Sequence, residues 1–567
     1  MNQKFKKLTA ISLAALLGLT AAPASAFAQS FTEIEQASLT DAISALAQQY
    51  AQSFEEFEAL QSGIHEDMTL TLDDAGRSLL GFFFPVDISW FKDVRLSADI
   101  SMEENAQFMT AGVYMNDTKI CTLEYFFDLE NLEIYMRIPE LREGYIKVDY
   151  EEALNQQKTM LEQQQETMEE SGEISQAAED ALESMENSAF SDPEFIKEYM
   201  KFLTNLPEYM PEAATTETIL NRYSSILFDH IRNTEASESE ILDFSGISEE
   251  CTIYEGTLSQ TDAQSFLKEV VDTAKSDEEI KEILNALDDS LYESFMDALK
   301  DTSENLNEEL EDDGSHISAK AWVTADDKVV RRSLTLNETD EIIPVYDWMR
   351  ITDENRVYSS LSIGPEDEGF QISGDGVIEN NILSGQWVLK TGSGDYDAES
   401  GEVPAQADWI TINVNSYDTT AVKNGCFKGS YSFGFPSVLS AEASPEENAA
   451  NNPLASFLLL LDIDSDRDSG NVSLSLTNEG VSLGSINIGA NLGVTVEKPD
   501  FADLTEVYDS MDETAMNEYM SGITLDTILN NLVESGMPEE LLMQLLTGGT
   551  AEEEALQEEE MNPEAAS

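Results

Sequence analysis

The stretch Val94-Arg-Leu-Ser-Ala-Asp-Ile-Ser-Met102 puts Val94, Leu96, Ala98, Ile100 and Met102 at every second position, the period of a β-strand with one dry face. Phe108 to Met115 continues the pattern, and Asn116-Asp117 reads as a tight turn. From Lys119 to Phe127, Cys121, Leu123, Tyr125 and Phe127 share a face. Asp128-Leu-Glu-Asn131 then turns into a run in which Leu132, Ile134, Met136 and Ile138 alternate. Pro139 and Gly144 interrupt it, and Tyr145 to Asp149 resumes it. Connections this short join only neighbouring antiparallel strands, because a parallel crossover needs a dozen or more residues. The meander therefore demands a cover for its oily face.

Working outward, Leu39, Ile43, Leu46, Tyr50, Phe54, Phe57 and Leu60 recur every three or four residues, which predicts an amphipathic helix over 31–60 ending at Gly63. Ile64 to Leu72 alternates and starts the sheet, and 79–91 holds a dense aromatic cluster. Beyond the meander, helices are expected over 151–170, from Asp192-Pro193, and over 216–231. A strand over 251–256 precedes a helix capped by Ser259 or Thr261, and Ser276-Asp-Glu-Glu279 reads as the capping box of another helix. A second β region opens with a hairpin, 317–324 and 329–336, around Asp326-Asp327. Further strands are read near 356–363, 369–378, 383–389, 409–414, 427–435, 472–476, 481–488 and 492–496. The helical pattern returns over 504–546.

This order predicts an α+β fold built on large, curved, half-barrel-like antiparallel sheet covered by helices. The linear division is 1–28 as a signal peptide, 29–312 as helix, meander and helical segment, 313–498 as the second β-rich region, 499–548 as C-terminal helices, and 549–567 as an acidic tail too poor in apolar residues to fold.

Lys4, Lys6 and Lys7, the apolar run from Leu8 to Ala22 and the small residues around Ala26 and Ala28 form an export leader. No later run reaches the roughly 20 apolar residues a membrane span needs. No cysteine follows the leader's apolar core and no wall-sorting ending is present, so an extracellular, secreted chain is expected. The 567 residues carry a net charge of −82, or −85 without the leader's three lysines. That field repels nucleic acid and anionic polymers and keeps an exported chain soluble. Cys121, Cys251 and Cys426 lie far apart with no CxxC pair; their odd count, and Cys121 on an apolar face, point to buried thiols.

No catalytic centre stands out. His65, His230 and His316 are isolated, without zinc spacing. Ser430-Tyr-Ser-Phe-Gly434 lacks the first glycine of a nucleophile elbow, and Ser373-Gly-Asp-Gly376 lacks the lysine of a phosphate loop. Asp462, Asp464, Asp466 and Asp468 resemble the first half of a calcium loop, but Arg467 stands where the turn needs glycine and Ser473 where a bidentate glutamate belongs. Phe82, Phe83, Phe84, Trp90, Phe91, Tyr125 and Phe127 either line an apolar pocket or fill the core beneath the first helix. No cofactor is expected.

The run 129–141 closed by 144–149, the helix pair after Tyr254-Glu-Gly256, the hairpin from Ile317 and the ending 508–546 resemble a family of uncharacterised secreted proteins of Clostridia-type Gram-positive bacteria. More distantly, the repeated strands resemble half-barrel lipoprotein carriers of the LolA and LppX type. That resemblance implies a curved sheet with an apolar cavity for acyl chains, without the lipid-attached cysteine of the mycobacterial carriers. The expected role is non-catalytic: holding an apolar or lipid-like ligand, or associating with another envelope component. The alternatives are a secreted carboxylate-dependent hydrolase and a purely structural surface protein.

Overall fold

The computed structural model describes residues 30–83, 87–103, 105–156, 158–160, 193–204, 209–234, 238–287, 289–306, 314–338, 341–365, 369–391, 407–422, 425–436, 454–496, 504 and 506–547. The expected leader at 1–28, Phe84, the stretches 171–188 and 440–453 and the expected acidic tail at 549–567 fall outside them. The fold is α+β, with curved, unclosed antiparallel sheet and packed helices. The strands fall into two compact units that interleave along the chain: residues 1–55 with 207–467, and 56–206 with 468–567. These boundaries do not follow the linear division at 312 and 498, because strands far apart in sequence pair with the first meander.

In the first unit, helix α1 (Phe31–Ser62) contributes its first 25 residues. The strands are β7 (Arg232–Asn233), β8 (Glu238–Phe244), β9 (Ile247–Ser259), β10 (His316–Thr324), β11 (Val329–Asn337), β12 (Ile342–Asp353), β13 (Arg356–Ile363), β14 (Phe370–Glu379), β15 (Ile382–Thr391), β16 (Ala407–Asp418), β17 (Phe427–Gly434) and β18 (Phe457–Ser465). From β9 to β18 each strand pairs antiparallel with the next, while β7 and β8 pair with the other edge of β9. Strand β12 is absent from the sequence reading because Pro344 interrupts its pattern; the structure seats that proline at a register shift opposite Thr335, a place where a missing N–H is tolerated.

Helices α4 (Ala213–His230) and α5 (Gln260–Lys275) join α1 over one face of β9–β12. Phe31, Ile34, Leu227, Phe228, Ile231, Leu258, Ala263, Ala321 and Leu334 form the tight centre of this core. The opposite face is closed by Leu242, Ile247, Cys251, Trp322, Val330, Met349 and Ile351. Asn233 fixes the start of α1, accepting from the Thr32 N–H at 2.9 Å. Ser259 caps α5 by accepting from the Asp262 N–H. Helices α6 (Glu278–Leu287) and α7 (Asp289–Leu306) complete the helical layer. The cap of α6 is Asp277 rather than Ser276: its Oδ1 accepts from the N–H groups of Glu279 and Ile280, whereas the Ser276 hydroxyl turns back to Asp272 and Thr273.

The second unit contains the opening meander: β1 (Ile64–Leu72), β2 (Asp93–Glu103), β3 (Ala106–Met115), β4 (Thr118–Asp128), β5 (Glu133–Arg137) and β6 (Tyr145–Asp149). It also takes β19 (Ser469–Asn478) and β20 (Val481–Leu492): β20 pairs onto the free edge of β1, and β19 onto β20. Asn116 and Asp117 both have positive φ, as the expected tight turn requires. The short β21 (Val507–Asp509) runs parallel to β6, a pairing open to it because hundreds of residues separate the two. Helices α2 (Asp74–Phe83), α3 (Pro193–Thr204), α8 (Glu513–Ser521), α9 (Asp526–Glu534) and α10 (Glu539–Thr547) belong to the same unit, and residues 150–156 and 158–160 are helical as well. Arg142 ties α8 down: its Nη1 donates to the carbonyls of Glu518 and Tyr519 at 2.5 and 2.6 Å, a cation placed at the negative end of that helix.

Candidate functional site

The stripes of α1, α4 and α5 meet tightly around Phe31 and Ile231, then part. Leu39, Ala42, Ile43 and Leu46 of α1, Leu220, Tyr223 and Ser224 of α4, and Phe266 and Val270 of α5 line an apolar groove of about 220 Å³. Leu46 and Leu220 are exposed at its rim. A separate polar depression of about 410 Å³, open to solvent, is lined by Arg222, Thr273, Ser276, Asp277, Glu278 and Glu279. Tyr223 lines the groove, and its hydroxyl donates to Asp277 Oδ2 at 3.0 Å. Arg222 donates to Asp277 Oδ2 and to Glu279 Oε2, each at 2.5 Å. Burial would raise the Asp277 carboxyl, but the hydrogen bonds from Arg222, the Ile280 N–H and Tyr223 outweigh it and hold that group below the usual carboxylate range. Burial, then the bond to Asp277, pushes the Tyr223 phenol well above its usual value.

A second apolar feature lies in the other unit. Val472, Ile488, Met68, Leu96, Val113 and Cys121 stand opposite one another across β19, β20, β1, β2, β3 and β4, one row on one face. Met68, Leu96 and Ile488 are 47%, 45% and 47% exposed. Further along the same face, Ile196 of α3 covers Phe127, Leu129 and Leu132, with Tyr125 and Ile134 packed beside them. The alternation is that of a buried face, yet over β20, β1 and β2 it stays open.

Of the seven aromatics expected either as a pocket or as core, Phe84 lies outside the described residues. Phe82 and Phe83, 85% and 69% exposed, form an edge-to-face pair on α2. Trp90 and Phe91 pair edge-to-face with each other. Tyr125 and Phe127 belong to the core beneath α3. None of the six described residues lines either cavity above. The groove residues were legible individually as the dry stripes of three helices; that the stripes diverge is set by how the helices pack.

The acids read as a calcium half-loop are also placed differently. Asp462 and Asp464 sit on β18, so their alternation is that of a strand's outward face. Lys428 on the neighbouring strand meets Asp464 at 2.7 Å and Asp466 at 3.0 Å, neutralising charge a cation would need. Among the described residues no group of three or more His, Cys, Asp or Glu is placed to hold a metal ion. Cys121, Cys251 and Cys426 are free thiols; Cys251 is buried and its thiol is pushed up to about 12, chiefly by desolvation. No described helix is long and apolar enough to cross a membrane.

His65 lies on the polar face of β1, its Nδ1 at 2.7 Å from Asp99 and its Nε2 at 3.1 Å from Asp67. The bond to Asp99 raises the imidazole above its usual value; burial opposes this, and Asp67 adds to the rise. A group whose folded value is raised contributes stability that is present in full below the unfolded value, about 6.5, and lost as pH climbs through the folded one. His65→Gln should therefore flatten the loss of stability on that alkaline side. Thermal melts of both proteins at stepped pH check this, and parallel profiles would refute it.

No family model matches the chain, and the searches of curated proteins and of solved structures likewise return no match.

Proposed function

We propose that this is a secreted, non-catalytic binding protein that holds an apolar or lipid-like molecule in the groove between α1, α4 and α5. The observation that carries the reading is a concave, almost wholly apolar cavity left open where three helices converge. A groove of about 220 Å³ has room for a short apolar chain or a single ring rather than a full acyl tail. The dense negative charge agrees with a protein kept soluble outside the cell, and the leader-like segment at 1–28 with export.

The test is a neutral apolar probe of the groove's size, 1-heptanol, titrated calorimetrically into the full chain. Ala42→Phe fills the groove and should weaken binding at least tenfold while leaving the melting temperature nearly unchanged. Equal binding by the two proteins would refute the groove as the site.

A second reading, docking of an envelope component, is favoured by the open row Met68, Leu96 and Ile488. A carboxylate-dependent hydrolase has less support: the deeply buried Glu35 and Asp277 are each bound by an arginine.

A further inference from the structure

We infer that the open sheet face over β20, β1 and β2 is the docking surface for a partner polypeptide whose apolar stripe carries one arginine or lysine, set against Glu66. The inference deepens the docking reading and rests on it; the groove between α1, α4 and α5 plays no part.

The face is built from alternate positions of neighbouring strands. On β19, β20, β1, β2 and β3 the register brings these residues together row by row, and apart from Gln107 and Glu66 every one of them is apolar or glycine. Leu476 and Met102 are exposed on it along with Met68, Leu96 and Ile488, so the opening reaches from β19 to β2. Single exposed apolar residues are ordinary, but five on one face of adjacent strands form a contiguous patch of the kind that binds a partner.

Glu66 decides what can cover it. Its side chain is exposed, stands between Ala98 and Ala490 on the neighbouring strands, and shares the face with Met68. On the other face of the sheet the acids are already matched, Asp67 with His65 and Arg95 and Asp99 with His65, whereas the Glu66 carboxylate has no such partner among the described residues. Any occupant that dries the patch takes this carboxylate out of water too, and a desolvated carboxylate without a cation is strongly unfavourable. The occupant must therefore bring the cation itself. Arginine, flat and weakly hydrated with paired donors, suits an apolar setting best.

The same rule sets aside other occupants. A second copy offering this face brings another Glu66 and no lysine or arginine. An anionic bilayer meets a chain of net charge −82. Residues 161–192 of the chain hold ten acids and no lysine or arginine, so they supply no counter-charge.

Five strands span about 19 Å at about 4.8 Å per step, the length of about 13 helical residues. The probes are three fluorescein-labelled helical peptides of that length, sharing a leucine stripe and a glutamine-rich polar face and differing only at the centre of the stripe, which is arginine, glutamine or glutamate. Fluorescence anisotropy with the full chain should show the arginine peptide binding about tenfold tighter than the glutamine peptide, with the glutamate peptide weakest. Glu66→Gln, a near-isosteric change at an exposed position, should erase the arginine preference. Met68→Ser/Ile488→Ser should weaken all three peptides at least tenfold, with circular-dichroism melts reporting that the fold is kept. An arginine preference that survives in Glu66→Gln comes from the field of the whole chain and overturns the inference, as does a glutamine peptide that binds equally well; in both cases the face remains a docking surface. If no peptide binds, or Met68→Ser/Ile488→Ser binds them all unchanged, the docking reading falls too. Cosedimentation with phosphatidylglycerol vesicles, or a dimer in analytical ultracentrifugation that Met68→Ser/Ile488→Ser dissolves, would replace the polypeptide by a bilayer or by a second copy.

Discussion

Arg332→Ala destabilises the first unit by about 3 to 5 kcal/mol, and Glu35→Ala does the same, because each strands a charge in a dry core. Arg332 on β11 is 1% exposed and Glu35 on α1 is 0% exposed. The guanidinium Nε lies 2.9 and 3.0 Å from the two Glu35 oxygens, and Nη2 donates to Ser38 Oγ at 3.0 Å. Arg332 stands opposite Ala321 and Trp348 in the sheet, with the guanidinium 5.6 Å from the Trp348 ring, so only a small residue and a flat one flank it. The pair pins α1 in register over the sheet without adding much net stability, since bringing both charges out of water costs nearly as much as their attraction returns. Glu35→Leu/Arg332→Met, which keeps the volume, should therefore be close to neutral or stabilising. Urea unfolding followed by tryptophan fluorescence is the measurement, since Trp322, Trp348 and Trp387 all belong to this unit. Single variants that lose under 1 kcal/mol would show that the two charges remain hydrated.

Trp387→Ala is the second large effect, a loss of about 3 to 5 kcal/mol typical of deleting a buried indole. The ring lies across β14, where Gly374 and Gly376 leave room for it, and its N–H donates to Ser359 Oγ on β13 at 2.9 Å. Ser359, Gly374 and Trp387 stand opposite one another on three adjacent strands, so one side chain clamps β13, β14 and β15. A Cβ at Gly374 would run into the Gln386 carbonyl and the Trp387 backbone, neither of which is free to retreat. Gly374→Ala should accordingly cost at least 2 kcal/mol, more than the few tenths expected at an unhindered strand position. Trp387→Phe should fall between wild type and alanine. The same urea titration ranks all three, and a neutral Gly374→Ala would mean the indole is seated elsewhere.

Much of the fold was legible because antiparallel strands carry their own signature. The run from Val94 to Asp149 reads as alternation and turn chemistry, and the structure contains β2 to β6 there, with Asn116-Asp117 at the turn. The stripe from Leu39 to Leu46 lies on α1 as its spacing requires. The misreadings have local causes. Pro344 hid β12, and Asp462 and Asp464 looked like a loop because an outward strand face and a metal loop share a period of two. Phe82 and Phe83 stand exposed on α2, an orientation that composition does not give.

The order of amino acids by itself determined most of the strand and helix segments, which face of each is oily, and that the chain carries a strong negative field, since all three follow from periodicity or from counting. Only tertiary structure decided that β19 and β20 close onto β1 across some four hundred residues, that Arg332 finds Glu35, and that α1, α4 and α5 part to leave a groove. Those outcomes depend on how preformed surfaces fit together, and a gap between three oily stripes has the same one-dimensional pattern as a closed core.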